Sequence, residues 1–157
     1  MSDATIDRDQ TTPRREWLFV LARVYLGVSF FFSDHGTRNE GELIGFLNYA
    51  MKHGYSWYQN FLSAVVVQHA DNFGTLIFVA EIYVAIALVF GLTTRLAACV
   101  AIFLCFNYMC AKGAAPWGPG IDQSDIILGI IVLLSNAGRI WGFDRFLHQR
   151  LPKVPIW

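Results

Sequence analysis

The sequence predicts an all-α integral membrane protein, a four-helix transmembrane bundle with short interfacial helices in the first outer loop and at the C-terminus. Three observations predict it. Hydrophobic residues make up 55% of the 157 positions and charged residues only 15%, against roughly 45–50% and 25% in soluble domains. Four apolar stretches recur along the chain. The second and third of them are apolar on every helical face, so they lack the polar stripe that a soluble bundle would turn toward water. Twelve basic residues balance twelve acidic ones, which leaves no basic field to recruit nucleic acid.

The elements follow in order. Residues 1–16 are polar with both charge signs and read as a cytoplasmic tail, not as a cleaved signal or a targeting helix. The first stretch, Trp17–Phe32, is interrupted only by Arg23, and the second, Phe73–Leu92, only by Glu81. Leu96–Ala111 is the third, and the fourth runs from Ile126 to Ala137 after a Ser124-Asp125 start. Ser124 and Asp125 read as N-cap and first-turn acid of that helix. A span needs about 20 residues, which the second stretch meets unaided and the others meet by extending into neutral flanks. The spans are set at approximately 17–33, 73–92, 96–111 and 124–138, within a single membrane domain covering residues 1–157.

Basic residues orient the bundle. Arg8, Arg14, Arg15, Arg95, Arg139, Arg145, Arg150 and Lys153 fall on one side, against Arg38, Lys52 and Lys112 on the other. The excess places both termini in the cytoplasm. In the outer loop 33–72, Leu43, Phe46, Leu47, Ala50 and Met51 repeat at helical spacing, as do Tyr58, Phe61, Leu62, Val65 and Val66. Two short interfacial helices broken near Gly54 are expected there, with Trp57 and Tyr58 at headgroup level. Residues 139–157 read as a cytoplasmic interfacial tail. In it Asp144 caps a helix whose Phe143, Phe146, Leu147 and Leu151 share a face away from Arg145, His148 and Arg150, and Pro152 and Pro155 stop it.

An ionisable group in the hydrocarbon costs about 2.5–3.5 kcal/mol and asks for a reason. Counting from the cytoplasmic helix ends, Glu81 and Asn107 both lie ~16 Å deep, with Arg23 and Tyr25 at ~9 and ~12 Å. One reading is a midplane polar site of Arg23, Tyr25, Glu81 and Asn107, in which Glu81 carries protons or bonds a quinone headgroup. The other is a buried Arg23–Glu81 pair with Asn107 tying helices together. A second candidate cluster lies at the outer face, where Asp34, His35 and Arg38 follow helix one and Lys112, Trp117, Asp122 and Asp125 precede or open helix four. It reads either as a mouth for a small anion or quinone or as solvated loop.

Several chemistries are discounted. His35, His53, His69 and His148 all fall outside the four spans, so an intramembrane haem has no ligands. No H-E-x-x-H, metal-spaced Cys/His set, Walker motif or dinucleotide glycine motif occurs. Cys99, Cys105 and Cys110 share one helix without a C-x-x-C pair and read as packing residues. No bound cofactor is expected from evident ligands, quinone aside. Repeated halves and broken helices, the marks of a solute carrier, are not visible.

Some stretches also carry a family pattern. Ala80–Leu104, AEIYVAIALVFGLTTRLAACVAIFL, has an early Glu and a G-L-x-T-R-L-A-A turn. Asn136–Leu147, NAGRIWGFDRFL, has a closing G-R-x-x-G-x-D. Helix one places Gly27 ahead of H-G-T-R, with Arg38 where the family usually has Lys. Over roughly residues 17–150 the chain resembles the DoxX/DoxD family of bacterial and archaeal membrane proteins. That resemblance implies a four-helix protein of the prokaryotic cytoplasmic membrane, related to the membrane subunit of thiosulfate:quinone oxidoreductase. It implies a DoxA-like partner subunit from another polypeptide, and no agreed catalytic residues. The residues that carry over are Glu81, Gly91, Thr94, Arg95, Gly138, Arg139, Gly142 and Asp144. Their expected roles are architectural: Gly91 ends helix two, Arg95 holds the inner boundary and Gly138 closes helix four. Two functions are therefore carried forward. One is a redox-associated subunit that interacts with quinone and depends on a partner. The other is a non-catalytic accessory subunit of a larger respiratory or photosynthetic membrane complex.

Overall fold

The computed structural model describes residues 13–32, 40–116, 118–135 and 137–150. Helix α1 spans Pro13–Phe32 and α2 spans Glu40–His53. The next helix, α3 (Ser56–Phe61), continues through a π-helical turn at Leu62–Val66 and a 3-10 turn at Val67–His69 into α4 (Ala70–Phe90). Then come α5 (Thr94–Lys112), α6 (Ile121–Leu134), α7 (Ala137–Ile140) and α8 (Asp144–Arg150). Among the described residues there is no strand. Among them, too, two helices are long and apolar enough to cross a membrane, the 35-residue run Ser56–Phe90 and the 19-residue run Thr94–Lys112.

Helix α5 is the hub. It packs on α4 and α6, and α2 and α3 lie against its later turns. Its small residues permit this, since Ala97, Ala98 and Ala101 are fully buried and let neighbouring backbones come close. Glycines do the same at other crossings. A Cβ at Gly27 of α1 would lie 2.9 Å from Val89 N on α4, and one at Gly129 of α6 would lie 2.7 Å from Ile102 on α5. Leu26, Val84, Leu88 and Val132 fill the space between these helices. A second core of Leu43, Leu47, Leu62, Val66 and Met109 joins α2 and the π-turn to the end of α5. The outward faces are just as apolar: Phe32 is 76% exposed, Leu134 73% and Phe103 65%. Large apolar side chains exposed on each of these helices suit lipid.

Three boundaries differ from the sequence expectation. The second helix of the loop 33–72 is not separate, because from Ser56 the chain runs on into α4. The break near Gly54 is present, where Tyr55 N donates to Cys110 O (3.2 Å) and Tyr55 OH to Ala114 O (2.7 Å), pinning the corner onto the end of α5. Helix α6 starts at Ile121 with Gly120 as N-cap, so Ser124 is an interior residue whose Oγ returns to Gly120 O (2.9 Å). Gly138 does not close the fourth helix either, since α6 ends at Leu134 with Ser135 as C-cap.

At the far end from that corner, the dispersed motif residues close into one knot. Helix α4 stops at Gly91, whose left-handed φ of +67° an L side chain rarely adopts. The Asp144 carboxylate does not cap its own helix. Its Oδ2 accepts the N–H of Thr94 (2.9 Å), so it caps α5 from fifty residues away, while Asp144 N donates to Gly91 O (2.8 Å). Gly138 is where Asp144 and Thr94 leave no room, because a Cβ there would overlap Asp144 Oδ2 and Thr94 Oγ1. Arg23 enters from α1, donating from Nη1 to Ala137 O (3.1 Å) and from Nη2 to Trp141 O (2.6 Å), within the field of Asp144. Asp144 is fully buried and Arg23 nearly so. Outside the knot, Trp17 packs against Trp141 with ring centroids 4.7 Å apart.

This arrangement makes the carboxylate a structural charge. Asp144→Ala strands Thr94 N–H and leaves buried Arg23 uncompensated, an expected loss of about 3–5 kcal/mol. Asp144→Asn keeps the acceptor and forfeits only the charge, an expected loss of roughly 1–2 kcal/mol. Unfolding of both variants in mild detergent against a denaturing detergent checks the order, and equal losses would refute it.

Candidate functional site

Among the described residues, a cavity of about 300 Å³ is bounded by α2, α3, the π-turn, α4 and α5. Leu43, Phe46 and Leu47 come from α2, Phe61, Leu62 and Val66 from the helix entering α4, and Phe73, Leu76, Ile77 and Ala80 from α4 itself. Helix α5 closes it with Val100, Phe103 and Leu104. The π-turn widens the helix locally, and such turns are frequent at functional sites. Into this apolar wall are set three polar residues, Tyr58, Asn107 and Tyr108.

Their partners define the polarity of the space. Tyr58 OH donates to Asn107 Oδ1 (3.0 Å), and Asn107 Nδ2 donates to Phe103 O (2.7 Å). Tyr108 OH donates to Glu81 Oε1 (2.5 Å), a short bond to a carboxylate that is 6% exposed. Glu81 is not part of the lining. It stands behind Tyr108, whose ring meets Phe46 edge-on at 5.9 Å. Both hydroxyl protons are thus given to protein acceptors, one on the cavity wall and one behind it.

The four residues expected at one midplane site go to four places. Arg23 belongs to the knot with Ala137 and Trp141, and Glu81 is held by Tyr108. Asn107 lines the cavity. Tyr25 is 65% exposed and lines an open groove of about 700 Å³ between α1 and α6, with Leu21, Ser124, Asp125 and Leu128. The depth count placed these groups at similar heights, but azimuth separates them. Arg23 and Tyr25 are two residues apart, so they point about 200° from one another around α1.

The outer-face candidates are partly brought together. Lys112 Nζ meets Asp122 Oδ2 at 2.8 Å, and Gln123 Nε2 donates to Ala115 O (3.0 Å). Asp122 and Asp125 are both buried, not solvated. Asp34, His35, Arg38 and Trp117 lie outside the described residues. Of the motif set, Gly91, Thr94, Gly138, Gly142 and Asp144 meet in the knot, Arg95 is half-buried in the first turn of α5, and the side chain of Arg139 is not among those described. The sequence reading missed Tyr58 and Tyr108 as cavity residues. A tyrosine inside an apolar helix needs a partner for its hydroxyl, and that was the available signal. Among the described residues no group of His, Cys, Asp and Glu is arranged to hold a metal.

Two substitutions test the Tyr108–Glu81 bond. Tyr108→Phe removes a donor from a buried carboxylate and is expected to cost about 1–3 kcal/mol. Glu81→Gln keeps an acceptor for Tyr108 OH and is expected to cost less. Detergent unfolding midpoints give the comparison, and a neutral Tyr108→Phe would show that the bond contributes nothing to stability.

Comparison with known proteins adds one finding. Residues 37–156 match the family described as DoxD, the small subunit of TQO. No curated protein and no solved structure matches the chain.

Proposed function

Because the chain belongs to the DoxD family and is a membrane protein of the thiosulfate:quinone oxidoreductase small-subunit kind, we propose that it binds a membrane quinone in the cavity beside Tyr58 and Tyr108. The observation that carries this reading is the cavity itself. It is apolar enough for a lipid-soluble ring and has hydroxyl donors set into one part of its wall. A quinone carbonyl is an acceptor only, and in this reading the Tyr58 and Tyr108 hydroxyls supply its donors by turning their single protons from Asn107 Oδ1 and Glu81 Oε1 to the ligand. A volume of about 300 Å³ sits at the lower end of ligand pockets, room for a headgroup while an isoprenoid tail leaves between helices.

Reduction of the quinone to quinol takes two electrons and two protons. The electrons come from thiosulfate oxidised on a partner polypeptide, a DoxA-like subunit or a larger electron-transfer assembly. The protons come through hydroxyl groups on the cavity wall. In this reading Glu81 takes up a proton, the bond to Tyr108 reverses, and Glu81 passes that proton to the Tyr108 oxygen as Tyr108 gives its own to the quinone.

The same proposal sets four spans, α1, α4, α5 and α6, in a prokaryotic inner membrane with both termini cytoplasmic. The exposed apolar faces of all four helices support it. At fourteen residues α6 is about 21 Å long, so the bilayer thins or the helix is extended by α7. The exposed Trp141, Phe143 and Phe146 beside Arg145 and Arg150 suit an in-plane segment at the cytoplasmic interface.

Decylubiquinone binding to the full chain in nanodiscs is the direct test. Tyr58→Phe is expected to weaken it about two- to tenfold, the worth of one hydrogen bond. Ala80→Phe, which fills the cavity, is expected to abolish it, and undiminished binding in Ala80→Phe would overturn the assignment. Topology is checked separately with reporters fused at each end, where activity expected only outside the cytoplasm would sink the orientation.

A further inference from the structure

The side chains around the cavity beside Tyr58 and Tyr108 are unequally covered. Leu43 and Leu47 of α2 are buried, as are Leu62, Val66, Leu104 and both tyrosines. Three others in the same wall are not: Phe61 is 43% exposed, Leu76 62% and Phe103 65%. A side chain that lines a cavity and also meets the outside marks an opening. These three come from the run Ser56–Phe90 and from α5, the two helices long and apolar enough to cross a membrane. Among the described lining residues, no exposed side chain comes from α2. That side is shut, because Gly74 lets Leu43 press onto α4, where a Cβ would lie 2.8 Å from Leu43 Cδ2.

The opening and the interior differ in chemistry. Phe61, Leu76 and Phe103 make an apolar rim, and the described lining residues include no lysine, arginine, histidine or carboxylate. The hydroxyls of Tyr58 and Tyr108 belong to buried side chains. Phe103 and Asn107 are one turn apart on α5, so rim passes into polar wall over ~6 Å of helix. Asn107 Nδ2 donates to Phe103 O (2.7 Å) across that turn. A charged or strongly hydrated molecule loses its water at such a rim with nothing to replace it. An apolar chain passes without cost, since lipid tails are as apolar as the side chains it meets.

We infer that Phe61, Leu76 and Phe103 frame a lateral portal, through which a lipid-soluble ligand enters the cavity from the bilayer headgroup first and leaves its tail between them. The portal selects by class. It admits an uncharged ring that carries hydrogen-bond acceptors and one flexible apolar chain. It excludes water-soluble anions, thiosulfate among them, whose oxidation therefore takes place elsewhere. Affinity referred to the lipid phase resides in the headgroup, and lengthening the tail beyond the rim adds nothing to it. That a quinone is the molecule admitted rests on the preceding proposal, whereas the portal is a property of the cavity wall.

The test uses a probe with no headgroup. The full chain in nanodiscs is equilibrated with an iodophenyl trifluoromethyl diazirine, which partitions into lipid, then photolysed, and the adducts are mapped by mass spectrometry. Adducts are expected at buried Leu47, Leu62 and Leu104 as well as at the rim, with none at Leu26 and Val132, which are also buried but outside the cavity. Adducts confined to the rim and other exposed residues overturn the portal. Ala80→Phe, which fills the cavity, is expected to abolish the interior adducts and to leave those at exposed Phe32 and Leu134 unchanged. Interior adducts that persist in the folded variant also overturn it, and should the variant not fold, the unsubstituted chain decides alone. A second arm adds excess decylubiquinone, which is expected to remove the interior adducts. Interior adducts that decylubiquinone leaves untouched defeat the quinone reading and leave the portal standing.

Discussion

The Asp144 carboxylate on the N–H of Thr94 is the interaction on which the bundle depends. Helix N-termini leave backbone donors without partners, and in an apolar environment such donors must be satisfied from within the protein. Here the acceptor comes from the far end of the chain. Through its backbone N–H to Gly91 O the same residue also ties down the end of α4, so one residue governs the tight turn between α4 and α5. Arg23 then clasps the carbonyls of Ala137 and Trp141 and draws α1 onto this turn. The glycines at 91, 138 and 142 are there because the knot has no space for a Cβ.

Closure at that end frees the opposite half of the bundle to be less regular. Helix α2 and the π-turn lean on α5 through Tyr55 and through a small apolar core, and between them a cavity remains. Polar side chains gather on its α5 wall and behind it. Tyr58 is paired with Asn107, Tyr108 with Glu81, and Lys112 with Asp122. A chain built for stability alone would replace buried ion and hydrogen-bond pairs with apolar contacts at little loss. Their concentration next to the cavity is what distinguishes this end from the knot, where Arg23 and Asp144 bond backbone groups.

Helix identity and approximate extent were legible because apolar runs and their glycine and charge punctuation are local signals. The break at Gly54, the stop at Gly91 and the all-α architecture follow from them. The continuity of Ser56–Phe90 was not legible, since Ser63, Gln68 and His69 interrupt the apolar pattern of the loop while the backbone stays helical. Glu81 and Asn107 were picked out by type and depth, and the partner of Glu81, Tyr108, is the residue next to Asn107 on α5. Arg23 was picked out by the same argument but belongs to the knot, because depth along a helix says nothing about direction around it.

The sequence by itself determined that the chain is helical and strongly apolar and roughly where its apolar helices lie, because hydrophobicity and its punctuation are properties of the chain read residue by residue. It also marked Gly91, Gly138 and Asp144 as members of one pattern without saying why they belonged together. Only the tertiary structure decided that Asp144 caps α5, that Arg23 turns to carbonyls and Glu81 to Tyr108, and that Tyr58 faces Asn107 across a cavity. These pairings join residues between 27 and 118 positions apart. They are set by helix azimuth and crossing geometry, which the packing of Gly27, Ala97, Ala101 and Gly129 fixes only once all the helices are in contact.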